Sequence, residues 1–371
     1  MQSRYLPNLN GLRAISVVLV ILGHATSMQL YFGGYQFKDW LWIPTKVGVA
    51  MFFCISGILI SYLLDEERKR TGDINTKQFY LRRMARIWPL YFLVVIPAIP
   101  LNLYFAPATF HTNMVWMDYA LLAIILPGFA NMPQFVGPTW SIGIEESFYA
   151  MYPLMARYLS KRNLAVLLLA VVFSTEIFSF IGRYTCPELC SVRVWWAPEW
   201  YGCIAIGCLT YMIYSAKNEQ ITKFLFSPGL QCAAFSALAV ALSAGVFAER
   251  FFSYRLQSVA LSIIAINAAF NPASILQIEN RLTKYIGEIS YGMYMFHVYC
   301  ICLVLLLCWI FFKGETFPFQ NLIVSTLSLS LTIVVSKLSY DYFESPIRKW
   351  ARQKDVERQN SGLLQADRTA A

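Results

Sequence analysis

Ten apolar runs, each near twenty residues, dominate this 371-residue chain: 9–30, 45–64, 85–106, 140–159, 164–182, 199–215, 229–248, 255–271, 286–312 and 320–340. A helix of about twenty apolar residues matches the hydrocarbon thickness of a bilayer. Hydrophobic residues make up 57% of the chain and charged residues only 14%, and a soluble protein so composed lacks the polar surface to cover its core. The pattern excludes a disordered chain, a collagen-like repeat and an ordinary cytosolic enzyme. It predicts an all-α polytopic membrane protein with about ten transmembrane helices.

The charges orient it. Thirty basic residues against 21 acidic ones give +9, and the basic residues gather between apolar runs, as in cytoplasmic loops facing anionic membrane lipid. No basic run is interleaved with aromatics in a water-soluble segment, so nucleic acid is not an expected partner. Arg68, Lys69, Arg70, Lys77, Arg82, Arg83 and Arg86 crowd the second interval, and Arg348, Lys349, Arg352 and Lys354 the C-terminal end. Both termini are therefore expected to be cytoplasmic, which requires an even number of spans. The short apolar piece from Tyr119 to Ala130, broken by Pro127 and Gly128, would expose Lys161, Arg162, Lys217 and Lys223 on the wrong side if it crossed. It is predicted to be a re-entrant segment near 118–135. Residues 1–350 read as one integral-membrane domain and 351–371 as a polar, disordered cytoplasmic tail. The first run reads as a retained helix, with Arg13 at its entry and His24 inside it. The same topology puts Cys186 and Cys190 outside, where a disulfide can persist. The other cysteines lie in apolar runs and read as small buried hydrophobes. No second Cys/His pair suggests a metal site, and none is expected.

Ionisable side chains at bilayer depth are expensive and are candidates for function. Arg13 and His24 are eleven residues apart on one helix. That is three turns plus about 20°, so they share a face about 16 Å apart along the axis. An imidazole there can accept a proton near neutral pH, or it can be bonded to a neighbouring helix. Arg83 and Arg86, at i and i+3, either grip a phosphate pair or orient the third helix against headgroups. Glu145 and Glu146 point about 100° apart, so at most one is expected to face a shared cavity, and an ion pair with an arginine is the competing role. Ser290, Tyr294 and His297 form one polar stripe that either lines a substrate cavity or joins helices.

Six blocks occur in order: NLNGLRAISVVLVILGHA (8–25), GVAMFFCISGILI (48–60), FYLRRMARIWPLY (79–91), TWSIGIEESFYAMYP (139–153), ISYGMYMFH (289–297) and FESPIR (343–348). Over most of its length the chain resembles the acyltransferase-3 family of integral-membrane acyltransferases. The resemblance implies a bacterial inner-membrane O-acyltransferase with no permanently bound cofactor. It would move an acyl group, acetyl by family habit, from cytoplasmic acyl-CoA to a hydroxyl of a carbohydrate acceptor such as an exopolysaccharide, O-antigen or lipid-linked sugar. His24 matches the family's essential histidine and Glu145 the carboxylate of its TWSxxxE block, the expected catalytic pair. Arg83 and Arg86 match its RxxR motif and, with Arg13, are expected to bind the donor. Trp140, Ser141, Tyr149, Ser290, Tyr294 and His297 are expected to meet the acceptor. Asn10 and Ala50 stand where members of the family often carry Asp, and Asn10 removes one candidate carboxylate partner for the first-helix site. The alternative is a secondary transporter or flippase of a glycan or small molecule, favoured by many spans and intramembrane His and Glu. The lack of duplicated halves counts against it.

Overall fold

The structure, a computed structural model, describes residues 6–29, 43–104, 111–127, 130–185, 197–243, 251–351 and 353–354. Among these residues it is all helical, and a helix forms at every one of the ten predicted runs. They are α1 (Leu9–Met28), α2 (Thr45–Thr71), α3 (Thr76–Tyr104), α5 (Trp140–Tyr158), α6 (Lys161–Thr185), α7 (Ala197–Ser215), α9 (Pro228–Ser243), α10 (Phe251–Phe270), α11 (Arg281–Phe311) and α12 (Gln320–Ser339). Short helices α4 (Trp116–Ala123) and α8 (Glu219–Leu225) lie between them. Five of the described helices, α1, α2, α3, α11 and α12, are long and apolar enough to cross a membrane, and α8 with α9 makes a sixth if that pair, bent by 44°, counts as one span.

The segment between α3 and α5 turns back on itself. The eight residues of α4 rise only about 12 Å, too little to cross a bilayer. Buried Asp118 fixes the fold-back, accepting hydrogen bonds from the backbone N–H of Val115 (2.9 Å) and Asn131 (2.6 Å). Tyr91 of α3 donates to the Leu122 carbonyl at 3.1 Å. A 3-10 turn, Gln134–Thr139, then leads directly into α5.

The basic loops share one end of the bundle. Asp65 at the end of α2 accepts from Tyr211 of α7 (3.0 Å) and faces Lys161 of α6 (4.0 Å), while Arg157 of α5 pairs with Asp73 at 2.5 Å. Asn8, just before α1, accepts the backbone N–H groups of Ile278 and Glu279 at 3.1 Å, joining that end to the start of α11.

α1 packs against α2, α11 and α12. α12 presents a buried polar edge, Asn321, Ser325, Ser328, Thr332 and Ser336. It then runs through one π turn, Tyr340–Glu344, into a last helical stretch ending at Ala351. α2 and α7 approach closely at Gly57, where a Cβ would strike the Ile204 carbonyl oxygen and the Cys208 nitrogen. Backbone atoms cannot rotate aside, so the absence of a side chain is what lets these helices touch. Gly57→Ala should therefore destabilise the protein by about 1–3 kcal/mol, read as a lower thermal midpoint in detergent; an unchanged midpoint would show that the helices can slide apart freely.

Cys54, Cys203, Cys208 and Cys300 are buried, as their sequence context suggests. Cys232 is exposed on α9, because a small apolar side chain suits a lipid-facing surface as well as a core. Cys186, Cys190 and the tail beyond 354 lie outside the described residues.

Candidate active site

The first half of the site lies toward the basic end. α3 carries Arg83 across to α5, where its guanidinium fork is filled twice: Nη2 meets Glu145 Oε1 at 2.7 Å and Nε meets Glu146 Oε1 at 2.9 Å. The fork spans the 100° between adjacent carboxylates, so both glutamates meet one cation, whereas their spacing had suggested that only one would turn to a shared cavity. Glu145 also accepts from Ser56 Oγ of α2 (2.7 Å) and Glu146 from Trp88 Nε1 (3.4 Å). Tyr149 lies under the Arg83 guanidinium, 3.9 Å from Cζ to ring centroid, and donates to the Ser56 carbonyl at 3.2 Å. Arg83 is thus held by the protein's own carboxylates.

The neighbouring arginines are not. Arg13 and Arg86 make no ion pair among the described residues. Arg13 lies within electrostatic reach of Glu145, Arg83 and Arg348, and Arg86 of Arg13, Arg348 and Arg83. A third carboxylate, buried Glu344, sits near Arg348 and Arg86 and accepts from Ser339 Oγ at 3.3 Å. Four arginines therefore face three carboxylates, two of which are taken by Arg83. The remaining guanidiniums lie within electrostatic reach of one another, a cluster of positive charge that suits a polyanion.

The second half lies farther along α1. His24 is half-buried rather than sealed. Its Nδ1 is 2.9 Å from the Val20 carbonyl and 3.3 Å from Nε2 of His297, a fully buried residue of α11. The two rings stand 5.0 Å apart between centroids. Glu145 does not bond His24, whose partners among the described residues are Val20 and His297. Tyr294 stands between the two halves. Its hydroxyl donates to the Pro138 carbonyl (2.8 Å) and meets Ser141 Oγ at 2.7 Å, and its ring centroid is 5.7 Å from that of His297. Ser290, expected on the same polar stripe, is buried and turns back to the Gly287 carbonyl at 2.8 Å. Trp140 packs between Trp200 and Phe53, at 5.1 and 6.3 Å between centroids.

Comparison with known sequences settles the family: the model of the acyltransferase-3 family, described as an acyltransferase domain, matches residues 6–340. The chain belongs to the acyltransferase-3 family. It is 27% identical over 382 residues to O-acetyltransferase OatA of Staphylococcus aureus (strain NCTC 8325 / PS 47), covering 93% of this chain and 58% of that protein. It is 24% identical to peptidoglycan O-acetyltransferase OatA of Listeria monocytogenes and 25% identical to the putative peptidoglycan O-acetyltransferase YrhL of Bacillus subtilis, with 93% of this chain covered in both cases and 56% and 55% of those proteins. This acyltransferase-3 chain thus spans a little over half the length of these curated relatives. No solved structure matches it.

Within this family member, two features escape a reading of the sequence. Arg348 looks like one more topological charge, and Glu344 like an ordinary helix-end carboxylate; nothing local shows that either reaches Arg86. The FESPIR block was the available signal, since it sets an acid and a base four residues apart beside a helix end.

Proposed function

We propose that this protein is a membrane-embedded O-acyltransferase that moves an acetyl group from cytoplasmic acyl-CoA to a hydroxyl of a carbohydrate acceptor, with His24 as general base. The reading rests above all on one juxtaposition. Half-buried His24 lies about 16 Å along α1 from Arg13, which with Arg86 lacks a carboxylate partner of its own among the described residues. In this reading the arginine cluster is a cradle open to the cytoplasm, at the end that carries the basic loops, and it holds the donor's phosphates. The acyl arm then runs along α1 to His24. His24 takes the acceptor's hydroxyl proton as that oxygen attacks the thioester carbonyl. The C–S bond breaks and the departing sulfur receives the proton back, giving an ester and a free thiol. Tyr294 and Ser141 supply hydroxyls beside this point, and Trp140 an aromatic face for a sugar ring. Glu145 acts through Arg83, holding α3 against α5 beneath the cradle. Ten crossings with both ends inside fit this arrangement. The peptidoglycan named for two relatives makes a glycan hydroxyl the favoured acceptor.

The test uses the purified protein in nanodiscs with acetyl-CoA labelled in its acetyl group and a soluble glycan acceptor. Thiol release matched by label on the glycan supports the assignment. Transport of the glycan without thiol release would replace it with a transporter. In the same assay Arg86→Ala should raise KM for acetyl-CoA about 10–100-fold, the worth of one charge-assisted hydrogen bond, with kcat little changed. An unaltered KM would remove Arg86 from the donor site.

A further inference from the structure

The two histidines approach each other in a way that fixes where their protons are. Nδ1 of His24 lies 2.9 Å from the Val20 carbonyl, and Nδ1 of His297 lies 2.7 Å from the Tyr294 carbonyl. A carbonyl oxygen only accepts, so a bare Nδ1 at either place would set lone pair against lone pair. Both Nδ1 atoms therefore carry hydrogen. A neutral imidazole has one N–H, so Nε2 of His297 bears a lone pair, and it stands 3.3 Å from His24 Nδ1. The His24 Nδ1–H is shared between the Val20 carbonyl and His297. A second proton on His297 would turn its Nε2–H against the His24 Nδ1–H, donor to donor. His297 is fully buried and no carboxylate bonds it among the described residues, so nothing there compensates a charge.

We infer that His297 is a positioning residue: it accepts the Nδ1 proton of His24 and so leaves the His24 Nε2 lone pair, which has no hydrogen-bond partner among the described residues, to take the acceptor's proton. The inference rests on the assignment of His24 as general base. The arrangement is that of a triad's orienting group, with a neutral imidazole from another helix where a carboxylate usually stands. When His24 is protonated during the reaction, its Nδ1–H becomes a stronger donor to the same two acceptors, which spread the transient charge. The role differs from the direct substrate contact expected of His297 from sequence. It also explains why this ring is fully buried while His24 is not.

The full chain, labelled with nitrogen-15 histidine and carrying His111→Gln so that only two rings remain, reports the tautomer by NMR. The expected result is an unprotonated Nε2 on His24, giving way to a mixture of tautomers in His297→Leu. An Nε2–H on His24 in the otherwise unchanged protein overturns the inference. Kinetics gives the second reading. His297→Leu should lower kcat about 100-fold, less than the loss of a charged orienting group because the Val20 carbonyl remains, with KM for acetyl-CoA within about twofold. His297→Gln places an amide oxygen near the position of Nε2 and should recover most of the lost rate. Equal losses in both variants, with the tautomer unchanged, would show a packing role only and overturn the inference. An active His297→Leu beside an inactive His24→Ala would sink it alone, whereas an active His24→Ala would sink the general-base reading itself.

Discussion

His24→Ala is expected to lower acyl transfer at saturating acetyl-CoA by about 10²–10⁴-fold, the usual contribution of a positioned general base. KM for the donor should stay near its original value, because the proposed phosphate site at Arg13 is about 16 Å away along α1. The substitution removes one half-buried ring whose partners among the described residues are Val20 and His297, so the protein should still accumulate in the membrane. That level has to be measured with the rate. Full transfer at normal abundance would refute the catalytic assignment. A loss confined to KM would make His24 a binding group.

Arg83→Ala is expected to act on stability first. Glu145 and Glu146 share this single guanidinium, and their side chains are only 23% and 14% exposed. Removing the cation leaves two adjacent carboxylates in an apolar bundle, a change that costs about 3–5 kcal/mol for a fully buried pair. The residual exposure points to the lower end, about 3 kcal/mol, read as a fall in thermal midpoint and in membrane abundance. Adding Glu146→Gln should recover part of it by removing one uncompensated charge. Arg83→Lys should recover less than a simple charge count suggests, since one ammonium cannot reproduce the two-pronged grip. If Arg83→Ala is as stable as the parent, the carboxylates are protonated or solvated and the cluster is not a structural clamp.

Helix positions were legible because they depend on local pattern. Runs of apolar residues, the breaks at Pro127 and Gly128 and the basic loops sufficed to place a helix at each expected run and a fold-back before α5. Single-helix geometry was legible too: Arg13 and His24 are related by the rise and turn of one rod. The hidden part was everything that needed two helices to be docked. His24 and His297 are 273 residues apart, and their contact depends on how α1 and α11 pack. The pairing of Arg83 with both glutamates eluded periodicity because the approaching cation comes from the side, between the two directions in which the carboxylates point. The competing reading of Glu145, an ion pair with an arginine, is the one the geometry realises.

One more residue than a regular turn holds enters the last long helix at Tyr340–Glu344. From Ser336 to Glu344 a regular α-helix would rotate about 80° past the starting direction, and the additional residue takes back about 100°. Ser336 and Glu344 consequently both border Gly292 of α11, and Arg348, one turn on, points to the same side. The phase of this rod is therefore set by a count of residues rather than by their identity. A chain with one residue fewer between Ser336 and Glu344 would keep Ser336, Glu344 and Arg348 themselves and still swing the acid, and the base after it, about 100° away from Gly292.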